Sequence, residues 1–173
     1  MRYEPSIQLV KAAKKAALRA INFAKLDGIN DLPGIENATD PDFVPSKDIP
    51  AGKSTHLYNF TNKNLTNTLT GFVAAMFPDY NPVVSGAFYY PKSGYMSWHT
   101  NSDTPQTRVY ITYADEPQKS FFRYIQDGVV HTDWDDEGIT VRVFETIAEP
   151  PYFWHCIGSQ CNRVSFGFRL SPK

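Results

Sequence analysis

The 173-residue chain contains only two cysteines, Cys156 and Cys161. Two thiols are too few to staple a chain of this length into a disulfide framework, and a reducing compartment is the simpler expectation. A C-x4-C pair also lacks the second pair of soft ligands that a structural zinc site needs, so the cysteines are expected as small buried side chains around the turn after His155. No apolar run approaches the roughly 20 residues of a membrane-spanning helix. The opening MRYEPSIQLVKAAKKAALRA has no uninterrupted apolar core of the secretory type. The expected location is therefore cytoplasmic, and the N-x-[ST] triplets at Asn37, Asn59 and Asn64 count as chance matches. Charge of neither sign dominates: 17 Lys+Arg against 18 Asp+Glu leave a formal net charge of −1. Bulk charge thus implies neither nucleic acid nor a membrane as partner. Internal repeats and low-complexity tracts are lacking too.

Aromatic residues are plentiful at 14%, and in the second half breaks rich in Pro, Gly and Asn come at short intervals. That is the composition of a mostly β domain. The length suits one domain, with 1–80 as helical support and connecting segment and 81–173 as the β core.

Apolar residues at helical spacing, Ile7, Val10, Ala13, Ala17, Ile21 and Ala24, predict a helix from Pro5-Ser6 to about Lys25. Its lysines read as a solvated side. Leu26 to Lys53, rich in Gly, Pro, Asp and Asn, reads as a long connection, and Asn59 to Phe77 as a second helix ended by Pro78. After Asn81-Pro82 the pattern turns to period two. Strands are expected over Val83–Tyr90, Met96–Asn101, Arg108–Tyr113, Ser120–Gln126, Thr140–Ile147, Tyr152–Cys156 and Asn162–Leu170. Two helices followed by about seven short strands predict a β-sandwich or a jelly-roll (double-stranded β-helix) barrel, with the helices packed on one sheet.

Chemistry concentrates in two stretches, Tyr89–Tyr113 and Tyr152–Leu170. His99 and Asn101, two apart in a predicted strand, share a face with Ser97 and could clasp one metal ion. His155 supplies a second imidazole. Beyond it Arg163, Ser165, Gly167 and Arg169 alternate with Val164, Phe166, Phe168 and Leu170. An inward arginine needs an anion, because a buried unpaired guanidinium is costly, and Ser165 could bind the same anion. The acidic run Asp133, Asp135, Asp136 and Glu137 reads as a solvated turn, and His131 and His56 as surface or capping residues. Trp98 and Trp154, each preceding a candidate ligand, are expected to wall the site. Tyr89, Tyr95, Phe121, Phe122, Tyr124 and Tyr152 are candidates for a mouth or for core packing.

The succession Y-P-x-x-G, His99, a basic residue nine positions on, a distal histidine and then R-x-S resembles the iron(II)/2-oxoglutarate-dependent oxygenases. The likeness is to the compact prolyl-hydroxylase-like branch and small stand-alone bacterial and phage members, over about Val83 to Leu170. It implies a jelly-roll fold, Fe(II) held by His99 and His155, and 2-oxoglutarate anchored by Arg163 and Ser165 with Tyr90 in its pocket. Arg108 matches a basic position of variable role. The implied reaction consumes O2 and 2-oxoglutarate, releases succinate and CO2, and hydroxylates a C–H bond of a peptide side chain or small molecule. Where H-x-D/E would complete a two-histidine, one-carboxylate triad, this chain has Asn101. Three arrangements stay open. Asn101 ligates through its amide oxygen; Asp103, four residues past His99 and so about 13 Å from it along an extended strand, is folded back by the turn at Thr104-Pro105 to ligate; or the position is left to water or halide, as in the related halogenases. The rival reading from another class is a jelly-roll binding module that has lost turnover. A sugar-binding or isomerase jelly roll would call for more histidine or carboxylate ligands than this chain places.

Overall fold

A computed structural model describes residues 2–26, 54, 57–60 and 63–173. The expected connection over 27–53 and His56 lie outside the described residues. The chain runs β1 (Arg2–Tyr3), α1 (Ile7–Leu26), β2 (Tyr58–Asn59), a 3-10 turn (Lys63–Leu65), α2 (Asn67–Met76), β3 (Tyr80–Tyr90), β4 (Gly94–His99), β5 (Thr107–Ala114), β6 (Ser120–Gln126), β7 (Val129–Trp134), β8 (Gly138–Glu145), β9 (His155–Ser159) and β10 (Arg163–Pro172).

The strands form two antiparallel sheets, a six-stranded one ordered β1-β8-β5-β10-β3-β2 and a four-stranded one ordered β4-β9-β6-β7. Period-two alternation in β10 gives the six-stranded sheet two different faces. Val164, Phe166, Phe168 and Leu170 point outward and pack with Leu9, Ala13, Ala17, Ala20 and Ala24 of α1 and Leu69 and Val73 of α2. Alanines on the buried stripe let α1 lie close to the sheet. A second apolar cluster lies between the sheets, joining Tyr90, Phe88, Tyr110 and Phe144 of one to Met96, Phe122, Tyr124 and Ile157 of the other. Mostly β, with two helices on one sheet, the architecture is jelly-roll-like. Among the described residues no helix is long and apolar enough to cross a membrane.

Ser6 starts α1, its Oγ accepting the Leu9 N–H at 3.2 Å. The second helix is shorter than its apolar spacing predicts. Tyr58 and Asn59 pair instead with Tyr89 and Phe88 at the edge of β3, and the Asn- and Thr-rich stretch that follows is a weak helix former. Strand β7, absent from the expectation, is the return arm of a hairpin turning at Asp127-Gly128, where both residues have positive φ, 52° and 76°. Such a two-residue turn suits the twist of a hairpin. The predicted strand Tyr152–Cys156 is shifted: β9 begins only at His155 and continues through Cys156.

Candidate active site

His99 closes β4 and His155 opens β9, and the two residues are paired directly across the strands. What brings them together is a bulge. Met96 pairs with Ile157 and His99 with His155, so three steps along β4 match two along β9. Tyr95 and Trp98 therefore share the outer side of this sheet with Phe121 and Cys156, while Met96 joins the cluster between the sheets. The two imidazole rings lie 4.1 Å apart, centroid to centroid.

Each ring is held by the backbone carbonyl two residues before it. His99 Nδ1 donates to Ser97 O at 2.7 Å and His155 Nδ1 to Phe153 O at 3.0 Å. This fixes the tautomer in both rings and leaves both Nε2 atoms with a lone pair. Burial pushes both pKa values down, and His155, fully buried, feels the neighbouring His99 and Arg108 as well. The pair is neutral at physiological pH, the state in which imidazole binds a metal.

The expected continuation of the strand to Asn101 is overturned. The strand ends at His99, and Asn101 turns with φ 53°, a left-handed conformation that asparagine tolerates better than most residues. The turn returns its side chain to the histidines. Asn101 Nδ2 lies 3.2 Å from His155 Nε2, and its amide also shares a hydrogen bond with the buried Tyr110 hydroxyl. Turned end for end, the amide offers Oδ1 in the same place. Asp103 is exposed, and its charge acts on Arg108. Among the described residues no group of three His, Cys, Asp or Glu converges as a metal site.

Arg163 is fully buried, and the anion that the sequence calls for comes from the chain itself. Its Nε donates to Asp135 Oδ2 at 2.9 Å, and its guanidinium stands 5.1 Å from the centre of the Tyr90 ring. Asp135 also accepts from Arg142 Nη1 and Ser120 Oγ, both at 2.6 Å. The reading of the acidic run as a solvated turn is thus corrected: Asp135 is fully buried, and Asp133 binds Arg142 and Arg2. Its acidic pattern resembles a surface loop, and the arginines that draw it inward are distant in sequence. Nη1 of Arg163, however, is a buried donor with no hydrogen-bond partner. Tyr90 and Ser165 line one small cavity of about 30 Å³ with Tyr110, Met96 and Ile157.

The walls differ from expectation. Trp98 packs on the outer side of the four-stranded sheet as a consequence of the bulge, and Trp154, adjacent to the inward His155, packs there too. Phe122, Phe144 and Phe153 surround His155 instead, with ring centroids at 5.4, 5.5 and 5.6 Å. Together with Tyr124 they line a groove of about 580 Å³ bordered by Arg142 and Glu145. Phe144 and Phe153 were not singled out by sequence, and only the inward alternation of β8 could have marked the first. Of the other aromatics, Tyr89 faces the helices and Tyr95 and Phe121 the outer cluster. His131 is exposed and stacks on Tyr124. Both cysteines are free and buried as expected, though Cys156 lies within β9 rather than beside a turn.

No family model matches the chain, and no curated protein matches it. Among solved structures it is similar to a Pseudomonas putida prolyl-4-hydroxylase, at 13% identity and TM-score 0.48, over 92% of this chain and 88% of that one. It is also similar to an oxidoreductase of the 2OG-Fe(II) oxygenase family from Burkholderia pseudomallei, at 15% identity and TM-score 0.46. The latter match covers 63% of this chain and 57% of that one.

Proposed function

We propose that this chain is an iron(II)- and 2-oxoglutarate-dependent oxygenase that hydroxylates a C–H bond of a peptide side chain or a small molecule, with release of succinate and CO2. The observation that carries this reading is the cross-strand pairing of His99 with His155. Each Nδ1 is spent on a carbonyl and each Nε2 is left for a metal. The donor set fits iron: two neutral imidazoles and, at Asn101, one neutral amide.

The buried, unpartnered Nη1 of Arg163 fits a carboxylate in the same way. Asp135 holds Nε of that guanidinium and so fixes the direction in which Nη1 points. Ser165, six ångström or so further along the strand at ~3.3 Å per residue, adds a hydroxyl, and Tyr90 lines a small cavity with Ser165 while its ring stands 5.1 Å from the Arg163 guanidinium. These residues bind and orient 2-oxoglutarate. Phe122, Phe144 and Phe153 keep water from the histidines, and the groove they line is the proposed path for the substrate. Iron and 2-oxoglutarate, when bound, supply the oxidising chemistry.

One observation favours a second reading, a binding module without turnover: the ligand beside the histidines is the neutral Asn101. Anaerobic addition of Fe(II) and 2-oxoglutarate decides between them. The oxygenase reading expects a weak visible charge-transfer band, followed by succinate on admission of air. A band without succinate supports the binding module, and neither band nor response to 2-oxoglutarate sinks both.

A further inference from the structure

The rings along the groove beside His155 lie nearly parallel. Phe153 is their centre, with Phe144 at 5.1 Å and 26°, Tyr124 at 5.5 Å and 25°, and Phe122 at 6.4 Å and 25°. Strand geometry accounts for the set. Phe122 and Tyr124, two apart on β6, project to one side, and Phe153 is held next to them because the Ile125 N–H donates to the Trp154 carbonyl at 2.9 Å. Towards solvent the exposed His131 continues the series, stacking on Tyr124 at 5.2 Å and 20°. Towards the core it stops, because Tyr110 meets Phe122 and Phe144 edge-on, at 86° and 85°. Edge-on and offset-parallel contacts are both favourable between aromatic rings. Here the parallel ones occur where Tyr124, Phe144 and Phe153 are only half-buried, so that part of each ring is open to the groove.

The charges along the same groove are already paired. Arg142 gives Nε to Asp133 and Nη1 to Asp135, and its Nη2 goes to the Asp133 carbonyl. Arg2 is bound by Asp133 and Asp136. Glu145 borders the groove and has no ion pair among the described residues. An anionic guest would give up its hydration here and meet no free guanidinium, only a carboxylate of its own sign.

We infer that the molecule to be hydroxylated presents a flat, uncharged aromatic ring, which lies against Tyr124 and Phe153 in the groove beside His155. The inference rests on the oxygenase reading for the word hydroxylated, and on the parallel rings and paired charges for the nature of the guest. A flat ring entering this series adds one more offset-stacked contact. A saturated ring of similar size has no π face to stack and is thicker, so it gains only the burial of its apolar surface. The groove, about 580 Å³ in volume, has room for a ring as large as indole.

The test uses the metal-free full-length chain, with N-acetyltryptophanamide as probe and NMR of the labelled Phe and Tyr rings as readout. The expected result is a saturable set of upfield ring-current shifts on Tyr124 and Phe153, absent with the saturated N-acetylprolinamide. In Tyr124→Leu, and separately in Phe153→Leu, each shown to be folded by circular dichroism, the probe should bind about two- to tenfold more weakly, the loss of one stacked pair. N-acetyltryptophan, the same ring carrying a carboxylate, should bind more weakly than the amide. No saturable shift up to about 10 mM probe, tenfold above a Kd of about 1 mM, overturns the inference. So does equal binding of the proline compound, tighter binding of the carboxylate, or unchanged affinity in both variants. Free indole gives the source of the ring: binding as tight as the amide's assigns a small aromatic molecule, and weaker binding an aromatic side chain of a peptide. Anaerobic Fe(II) and 2-oxoglutarate are then added to the same chain. A charge-transfer band without probe binding overturns the aromatic guest and leaves the oxygenase reading standing, whereas probe binding without a band removes the oxygenase reading and leaves the ring site.

Discussion

Arg163 donates its Nε to Asp135 at 2.9 Å, and each side chain is 1% exposed. Removing one member of such a pair leaves a charge in the interior with nothing to balance it, at a cost of about 3–5 kcal/mol. Asp135→Asn is expected to lose stability of that order, because it strips the shared partner from both Arg163 and Arg142. Urea unfolding at neutral pH measures it. A loss under about 1 kcal/mol would mean that water or Asp133 already balances the two guanidiniums.

The same carboxylate sets the acid limit of the fold. Burial alone would raise the Asp135 pKa, but Arg163, Arg142 and the Ser120 hydroxyl together hold it below the usual carboxylate value. Asp133 is lowered too, by Arg142 and Arg2 against its own burial. A depressed folded pKa contributes stability that is complete above the unfolded value and is lost as pH falls towards the folded one. Stability should therefore be flat from pH 7 down to about 4 and fall below it. Asp135→Asn should have a shallower fall. Unfolding midpoints across this range check the shape, and parallel curves for the two proteins would remove Asp135 from the account.

How far the sequence discloses these features depends on the range of the interaction. Period two in β10 and helical spacing in α1 are local, and both emerge from single stretches. The two histidines were legible as candidates because imidazoles in strands are few. Their direct pairing depends on a bulge at Ser97-Trp98, which no residue type announces, and the bulge moved Trp98 away from the site. Alternation with His99 puts Asn101 in a strand, although asparagine is among the residues that favour the turn it makes. The partner of Arg163 was obscured because an Asp-rich stretch looks solvated until arginines from β8 and β10 are placed around it. Hairpin β6–β7 carried a readable signal in Asp127-Gly128 that the exposed, weakly patterned β7 diluted.

Asn101 and Asp103 are distinguished by where the turn puts them. Asn101 is within hydrogen-bond distance of His155, whereas Asp103 is exposed and acts on Arg108. Asn101→Ala is expected to weaken Fe(II) binding by at least about tenfold, or ~1.4 kcal/mol, because it removes the amide oxygen proposed as the third donor. Asp103→Ala should change it less than threefold or so. Anaerobic calorimetric titration of Fe(II) into each variant gives both numbers, and the reverse order transfers the role to Asp103.

The thiols offer a check on the interior. Burial pushes Cys156 up to about 12, despite the Arg123 charge nearby, and raises Cys161 as well. The thiolate is the reactive form. At pH 8 neither cysteine should react appreciably with a thiol-specific disulfide reagent in the folded protein, and two equivalents should react promptly in denaturant. Fast labelling of the native chain would place Cys156 in a different environment.

Tyr110 joins the second core to the proposed metal ligand Asn101. Its ring meets Phe144 edge-on at 4.9 Å and Phe122 at 6.0 Å, and its hydroxyl shares a hydrogen bond with Asn101. Tyr110→Phe keeps the ring contacts and removes only that bond, so the stability loss should be about 1 kcal/mol. Asn101 then keeps its left-handed backbone but loses one of two side-chain contacts. Fe(II) binding should therefore weaken by less than in Asn101→Ala yet measurably, since a looser amide spends less time beside His155. Titrating Fe(II) into Tyr110→Phe, Asn101→Ala and the double variant separates the contributions. If Tyr110 acts through Asn101, the double variant binds iron as poorly as Asn101→Ala alone. Additive losses would mean that the hydroxyl reaches the metal site by a route of its own.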